Sequence, residues 1–521
     1  MAFTSFKFLA FVCIVVAIYY IAPKKGRWVV LLIGSYAFYL FSSPKTFLFL
    51  IFTTTVTFFG GRVLNIRNSE YKQYIKEHKE LKRTEKKAIK SDVQRKKRKI
   101  VTIILIADFG VLAAVKYLSP LLKAFGFEPG FNLGALIPLG ISFYTFQSAA
   151  YIIDIYRGKI EADQNIAKFA LFTSFFPQIM QGPIARYDHL AHQLYEGHDF
   201  SYKNLTYGAQ LMLWGFFKKL VIADRVAVLV NEIFNNYTEY NGFIIFVGLL
   251  GYTLQIYADF SGGIDIARGV ARIMGINMAQ NFKRPYFANS LSEFWRRWHM
   301  SLSFWCRDYI FFTISLSKTF GKAGKNLRKI FGDRVGKLFP VIVAQMATFI
   351  TIGIWHGPSF KYVAYGLYNG IIIVVGLLLE PYLNTVAEKL HVNKKSKGWK
   401  IFSVLRTFMI VVIGRMFSKA ISFEAAISMY SAMLRPSKVS FAEQLFSLGL
   451  DGADFVILAL SCVVWFIISW HQEKGESIRD NIAQMSMPAR WAIFIVSFAL
   501  ICIVGVYGPG YDASAFIYRG F

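Results

Sequence analysis

The chain has 521 residues, 55% of them hydrophobic, and sets 59 Lys+Arg against 31 Asp+Glu for a formal charge of +28, with a mean hydropathy of +0.41. That is more apolar residue than a soluble domain needs, and it comes in runs of about 14–20, close to bilayer-spanning length. The positive charge lies in loops between those runs, which speaks against nucleic-acid binding and for cytoplasmic loops facing anionic lipid.

The fold class expected is therefore an all-α polytopic membrane protein, because helices satisfy their own backbone in lipid. The four cysteines, Cys13, Cys306, Cys462 and Cys502, contain no Cys-x-x-Cys. They offer neither a disulfide framework nor a zinc signature, and no metal site is expected.

Residues 3–22 form a first span, followed by Lys24, Lys25 and Arg27, which places the N-terminus outside. Residues 28–41 and 45–61 flank a Ser-Ser-Pro turn. The loop 62–99 carries fifteen Lys/Arg against five Asp/Glu and reads as a solvated cytoplasmic helix. Residues 100–118 and 136–156 cross out and back.

The run 165–180 is short and ends in Phe-Phe-Pro-Gln, so a re-entrant or half-crossing segment is expected there, walled by protein or water. Residues 205–223 and 242–258 are further spans. Residues 338–355 cross outward from a basic stretch, 318–337, that holds seven Lys/Arg and one Asp. Residues 361–380 return. The last spans are expected at about 401–417, 453–470 and 488–507, with Arg435-Pro436 ending a helix in the mixed segment between the first two. The tail 508–521 holds no readable motif. The natural division is a core of 1–400 and additional C-terminal helices in 401–521.

The chemistry concentrates in 290–370. Here Ser-Leu-Ser-Glu-Phe-Trp-Arg-Arg-Trp-His-Met-Ser-Leu-Ser-Phe-Trp (290–305) leads to Gly-Ile-Trp-His-Gly-Pro (353–358). His299 and His356 each follow a tryptophan in apolar sequence. A titratable ring at membrane depth needs a reason. One reading is a packed histidine; the other is a general base, since burial keeps imidazole neutral and a neutral ring can take a proton from an attacking alcohol.

Residues 293–309 read as a single amphipathic helix. Phe294, Trp298, Leu302, Trp305 and Tyr309 share one face, Glu293, Arg296, Arg297, Arg307 and Asp308 lie opposite, and His299 sits at the edge beside Trp295. By parity His299 lies near the cytoplasmic side and His356 beyond a span, one histidine on each side of an apolar barrier.

These two Trp-His motifs resemble those of the membrane-bound O-acyltransferases, in the bacterial branch of alginate O-acetyltransferases and teichoic-acid D-alanyltransferases. The similarity runs from about residue 30 to about 380. It includes Pro-Leu-Gly-Ile-Ser-Phe-Tyr-Thr-Phe-Gln (138–147), Phe-Pro-Gln-Ile-Met-Gln-Gly-Pro-Ile (176–184), Gly-Phe-Phe-Lys-Lys-Leu-Val-Ile-Ala-Asp-Arg (215–225), Gln-Ile-Tyr-Ala-Asp-Phe-Ser-Gly (255–262) and Asn-Phe-Lys-Arg-Pro-Tyr (281–286). The resemblance implies a helical bundle around a tunnel, with half-spanning segments.

It also implies a multi-pass enzyme of the plasma or inner membrane that moves an acyl group, acetyl by preference, from a cytoplasmic donor toward hydroxyls of an extracellular or cell-wall polysaccharide. His356 would be the general base and His299 a second catalytic or donor-side group. Trp295, Trp298 and Trp355 would shape the walls, and Arg296 and Arg297 would steer the donor. No bound cofactor is implied. The donor would be acetyl-CoA or an acyl carrier protein thioester, and a separate extracellular acyltransferase would act with the chain. D-alanyl transfer toward teichoic acid is the near alternative; a transporter or flippase without covalent chemistry is the distant one.

Overall fold

The computed structural model describes residues 3–127, 137–179, 181–437 and 439–507. Met180, within one of the motifs above, and the tail 508–521 lie outside the described residues. Among those described the chain is helical throughout, with no strand. Among the described residues, eight helices are long and apolar enough to cross a membrane: Pro44–Glu77, Arg83–Ala124, Phe243–Ile273, Lys318–His356, Phe360–Lys389, Lys397–Lys419, Gly452–Glu473 and Met487–Val504.

The last two bury only 11% and 6% of their most apolar windows inside the protein. Val456, Leu460, Val463, Phe466, Ile495, Phe498 and Ile503 are all more than half exposed. Apolar faces of that extent are not left to water; a bilayer covers them. The polytopic all-α expectation holds.

The chain divides into two compact units, 1–209 with 267–279, and 210–266 with 280–521. In the first, the helix Ile141–Arg157 is buried along nearly its whole length. It packs against Phe47–Glu77, Arg83–Ala113 and Ile166–Ser174.

The short segment expected at 165–180 is there, as Ile166–Ser174 and Phe176–Ile179 with a break at Phe175. Nine helical residues rise only about 13 Å, under half of a hydrocarbon core. The break is walled by protein: Phe175 and Phe176 are buried, and the Phe176 N–H finds Ser35 Oγ at 3.1 Å. The basic stretch 62–99, expected as a solvated helix, is mostly helical but is shared between the ends of two long helices, Phe47–Glu77 and Arg83–Ala113. Charged residues carry the helices past their apolar parts because nothing in that stretch breaks them until His78.

The second unit holds a buried charged knot. A π-helical segment, Phe217–Ala223, presents Lys218 to Asp265 at 2.7 Å and Lys219 to Asp259 and Asp224 at 2.6 and 2.7 Å. Arg225 reaches Asp454 and donates to the Val504 carbonyl, which ties the last two spans to this unit.

Its longest hairpin is made by Lys318–His356, broken at Gly332 (φ 82°), and Phe360–Lys389. The two legs meet backbone to backbone: a Cβ on Gly353 would lie 2.5 Å from the Tyr362 carbonyl oxygen, and one on Gly366 would lie 2.3 Å from that of Phe349. Only glycine permits this approach, and it fixes the position of His356 at the hairpin's end.

Candidate active site

His299 does not sit within a continuous helix, as the apolar spacing had suggested. Leu291–Arg297 ends before Trp298, and Met300–Cys306 begins after it. His299 itself is left-handed at φ 43°, a conformation that is uncommon for any residue but glycine and needs outside support.

Asn281 supplies that support. Its backbone oxygen accepts the Met300 N–H at 2.9 Å, and its Oδ1 accepts the Ser301 N–H at 2.8 Å. The side-chain amide also lies 3.2–3.3 Å from His299 Nδ1. The Lys283 N–H further bonds the Arg297 carbonyl. A neighbouring strand of coil thus takes over donors that a helix would have served internally. The burial pattern survives the break: Phe294, Trp298, Leu302, Trp305 and Tyr309 are all buried.

His299 is 1% exposed and lies outside the eight candidate spans. Burial alone pushes its pKa down to about 3, so the ring is neutral at physiological pH. His356 is half-buried, the last residue of its helix. Its ring lies 4.8 Å from that of Trp355, 5.9 Å from that of Tyr362 and 6.4 Å from that of Tyr365.

One pocket is lined by both histidines, with Trp295, Trp298, Tyr362, Tyr365, Arg415 and Ser418 among its walls. About 390 Å³ of space lies among these residues, counting what is open to solvent. The expectation of one histidine on each side of an apolar barrier is therefore corrected. The helix break turns His299 toward the hairpin end that carries His356, and the rings of His299 and Trp355 are 6.2 Å apart.

Of the other sequence candidates, Trp295 and Trp298 line the pocket, Trp295 held by Asn369 Oδ1 at 3.1 Å. Trp355 stands behind the two imidazoles and is not among the lining residues. Arg296 is exposed. Arg297 is committed to Glu293 at 2.6 Å and Glu473 at 3.0 Å, in a network that also takes Arg284. The pocket receives neither of these arginines.

Sequence reasoning missed Asn281, Tyr365, Ser418 and Arg415. Asn281 opens one of the quoted motifs, and Arg415 is a charge inside an apolar span, which was the available signal. Among the described residues no cluster of three or more His, Cys, Asp or Glu could hold a metal ion.

A helical membrane protein with one buried and one half-buried Trp-His imidazole at one pocket has the parts for acyl transfer. The family model of the membrane-bound O-acyltransferases (MBOAT) matches residues 32–327. The chain is 31% identical to the probable alginate O-acetylase AlgI of Pseudomonas aeruginosa over 83% of this chain and 75% of that protein. It is 28% identical to the peptidoglycan O-acetyltransferase of Helicobacter pylori, over 66% of each. It is 29% identical to the teichoic acid D-alanyltransferase of Bacillus subtilis over 53% of this chain and 67% of that one. The chain belongs to the membrane-bound O-acyltransferase family, and it is a multi-pass acyltransferase. The matched segment includes His299 and stops before His356.

Proposed function

We propose that the chain moves an acetyl group from a cytoplasmic thioester, on coenzyme A or an acyl carrier protein, toward hydroxyls of an extracellular or cell-wall polysaccharide. His356 serves as general base. The observation that carries this reading is the meeting of His299 and His356 at one pocket. In the transfer step the hydroxyl gives its proton to the His356 ring as its oxygen attacks the thioester carbonyl. The tetrahedral adduct then collapses, the C–S bond breaks, and the departing sulfur takes the proton from the imidazolium. His299, sealed and neutral, can donate or accept one hydrogen bond at the reacting group without carrying charge.

Acetyl is preferred because two of the relatives above are named for O-acetyl transfer. An inner-membrane setting and an extracellular acyltransferase partner that completes the ester belong to the same reading. The test is O-acylation of surface polysaccharide in a deletion strain complemented with wild type, His356→Ala or His356→Gln at matched membrane levels. Released acyl groups are identified by mass spectrometry. Loss of acetate with both variants is expected. D-alanine in its place would move the substrate to the teichoic-acid side, and full acylation by both variants would remove His356 as the base.

A further inference from the structure

The pocket wall carries a charged group that neither the histidine chemistry nor the sequence reading uses. Arg415 lies near the end of the span Lys397–Lys419, is 2% exposed, and lines the same pocket as His299 and His356. A guanidinium stays protonated in proteins, so this is a full positive charge within a membrane helix. Such charges are costly and mark function by default.

Two contacts set its position. Nη1 donates to Tyr365 Oη at 2.9 Å, and Cζ lies 4.3 Å from the centre of the Trp298 ring. Tyr365 is one of three residues whose rings neighbour His356, and Trp298 immediately precedes His299. The cation is thereby tied to the residue before His299 and to the hairpin leg that faces His356. Tyr365 is itself held from behind, because the Asn369 amide donates to its backbone carbonyl at 2.8 Å.

We propose that Arg415 is the electrophilic group of this pocket, donating to the carbonyl oxygen of the thioester donor. The proposal rests on the acyl-transfer reading above. As the hydroxyl oxygen bonds to the carbonyl carbon, and its proton passes to His356, the C=O π pair moves onto oxygen. That oxygen's negative charge meets the guanidinium. When the pair returns, C=O re-forms, C–S breaks and the sulfur leaves with the proton from His356. A planar fork of five N–H donors keeps its Tyr365 contact while meeting an oxyanion. A preplaced charge acts strongly on an oxyanion that develops beside it. The rival account is packing, in which Arg415 only holds the Trp298 wall by a cation–π contact.

The experiment uses membranes from the deletion strain complemented with full-length wild type, R415M, R415K, R415A or H356A. They are given acetyl-CoA over a range of concentrations and that strain's own unacylated polysaccharide. R415M should lower kcat by about 10²–10³-fold, the usual cost of losing one oxyanion donor, while KM for acetyl-CoA stays within about threefold. R415K should fall between, and methylguanidinium added to R415A should restore part of its rate. Melting curves of each purified variant in detergent report folding. Wild-type kcat in R415M, or a fall in rate matched by a fall in folded protein in both R415M and R415K, would overturn the proposal. A wild type no more active than H356A would overturn the transfer reading and this proposal with it.

Discussion

His299 and His356 both follow a tryptophan, yet the chain holds them by opposite means. His299 is locked in place locally: a left-handed backbone, a break between two short helices, and Asn281 gripping the donors on its far side. His356 is placed from a distance, by the register of a long hairpin whose legs touch at Gly353 and Gly366. The first ring is sealed and the second is half-buried at a helix end. On the proposed function, the difference separates two jobs that one motif promises twice. A sealed neutral ring offers a fixed hydrogen bond, whereas a partly open ring can meet a substrate hydroxyl and take its proton.

That comparison breaks most readily at His356. His356→Ala should lower acyl transfer by about 10²–10⁴-fold, the range for loss of a general base, with melting temperature in detergent little changed. If His299→Gln cost more than His356→Ala in the same acylation assay, the two roles would be reversed.

Removing the clamp tests how His299 is held. Asn281→Ala leaves the Ser301 N–H without its acceptor in a buried place, at a cost of about 1–3 kcal/mol. A lowered unfolding midpoint by tryptophan fluorescence is expected, and Asn281→Asp, which keeps an oxygen there, should recover part of the loss. An unchanged midpoint in Asn281→Ala would mean that the helix break persists without it.

Sealing also has a pH signature. His299's pKa of about 3 in the folded chain lies below the ordinary imidazole value of about 6.5. Between those values the unfolded chain binds the extra proton, so stability falls as pH is lowered through that window. Melting temperature should drop from pH 6.5 to pH 5, and His299→Gln should flatten that slope. Equal slopes would show that other groups dominate.

The smallest effects belong to the arginines beside the motif. Glu473→Gln, which strips Arg284 and Arg297 of a partly exposed carboxylate, should cost about 1 kcal/mol or less. Arg296→Ala should leave acylation within about twofold, as exposed substitutions do. A large rate loss in Arg296→Ala would restore it to the donor path.

Much of this was legible from the residues. Apolar runs and their basic flanks located most of the spans, the short run at 165–180 announced its break, and the histidines of the two Trp-His dipeptides line one pocket, the candidate site. The burial of Phe294, Trp298, Leu302, Trp305 and Tyr309 was readable from spacing even though the helix behind that spacing was not. The helix break was hidden because its cause lies 18 residues upstream, in Asn281, and periodicity sees only neighbours. Arg415 was hidden for a similar reason. It stands in a stretch where the family resemblance is weak, and in sequence it is one arginine in one more span.

By itself the sequence determined the solvent and the element type. With so much apolar residue in runs of bilayer length, helices in lipid are the only economical state. It also set two imidazoles in apolar sequence, where burial disfavours the charged form. Which imidazoles meet, and what stands beside them, was decided by tertiary structure alone. Asn281, the glycine-paired hairpin and the span bearing Arg415 converge on one pocket through contacts between residues far apart in the chain, and a pattern of local spacing carries no record of those.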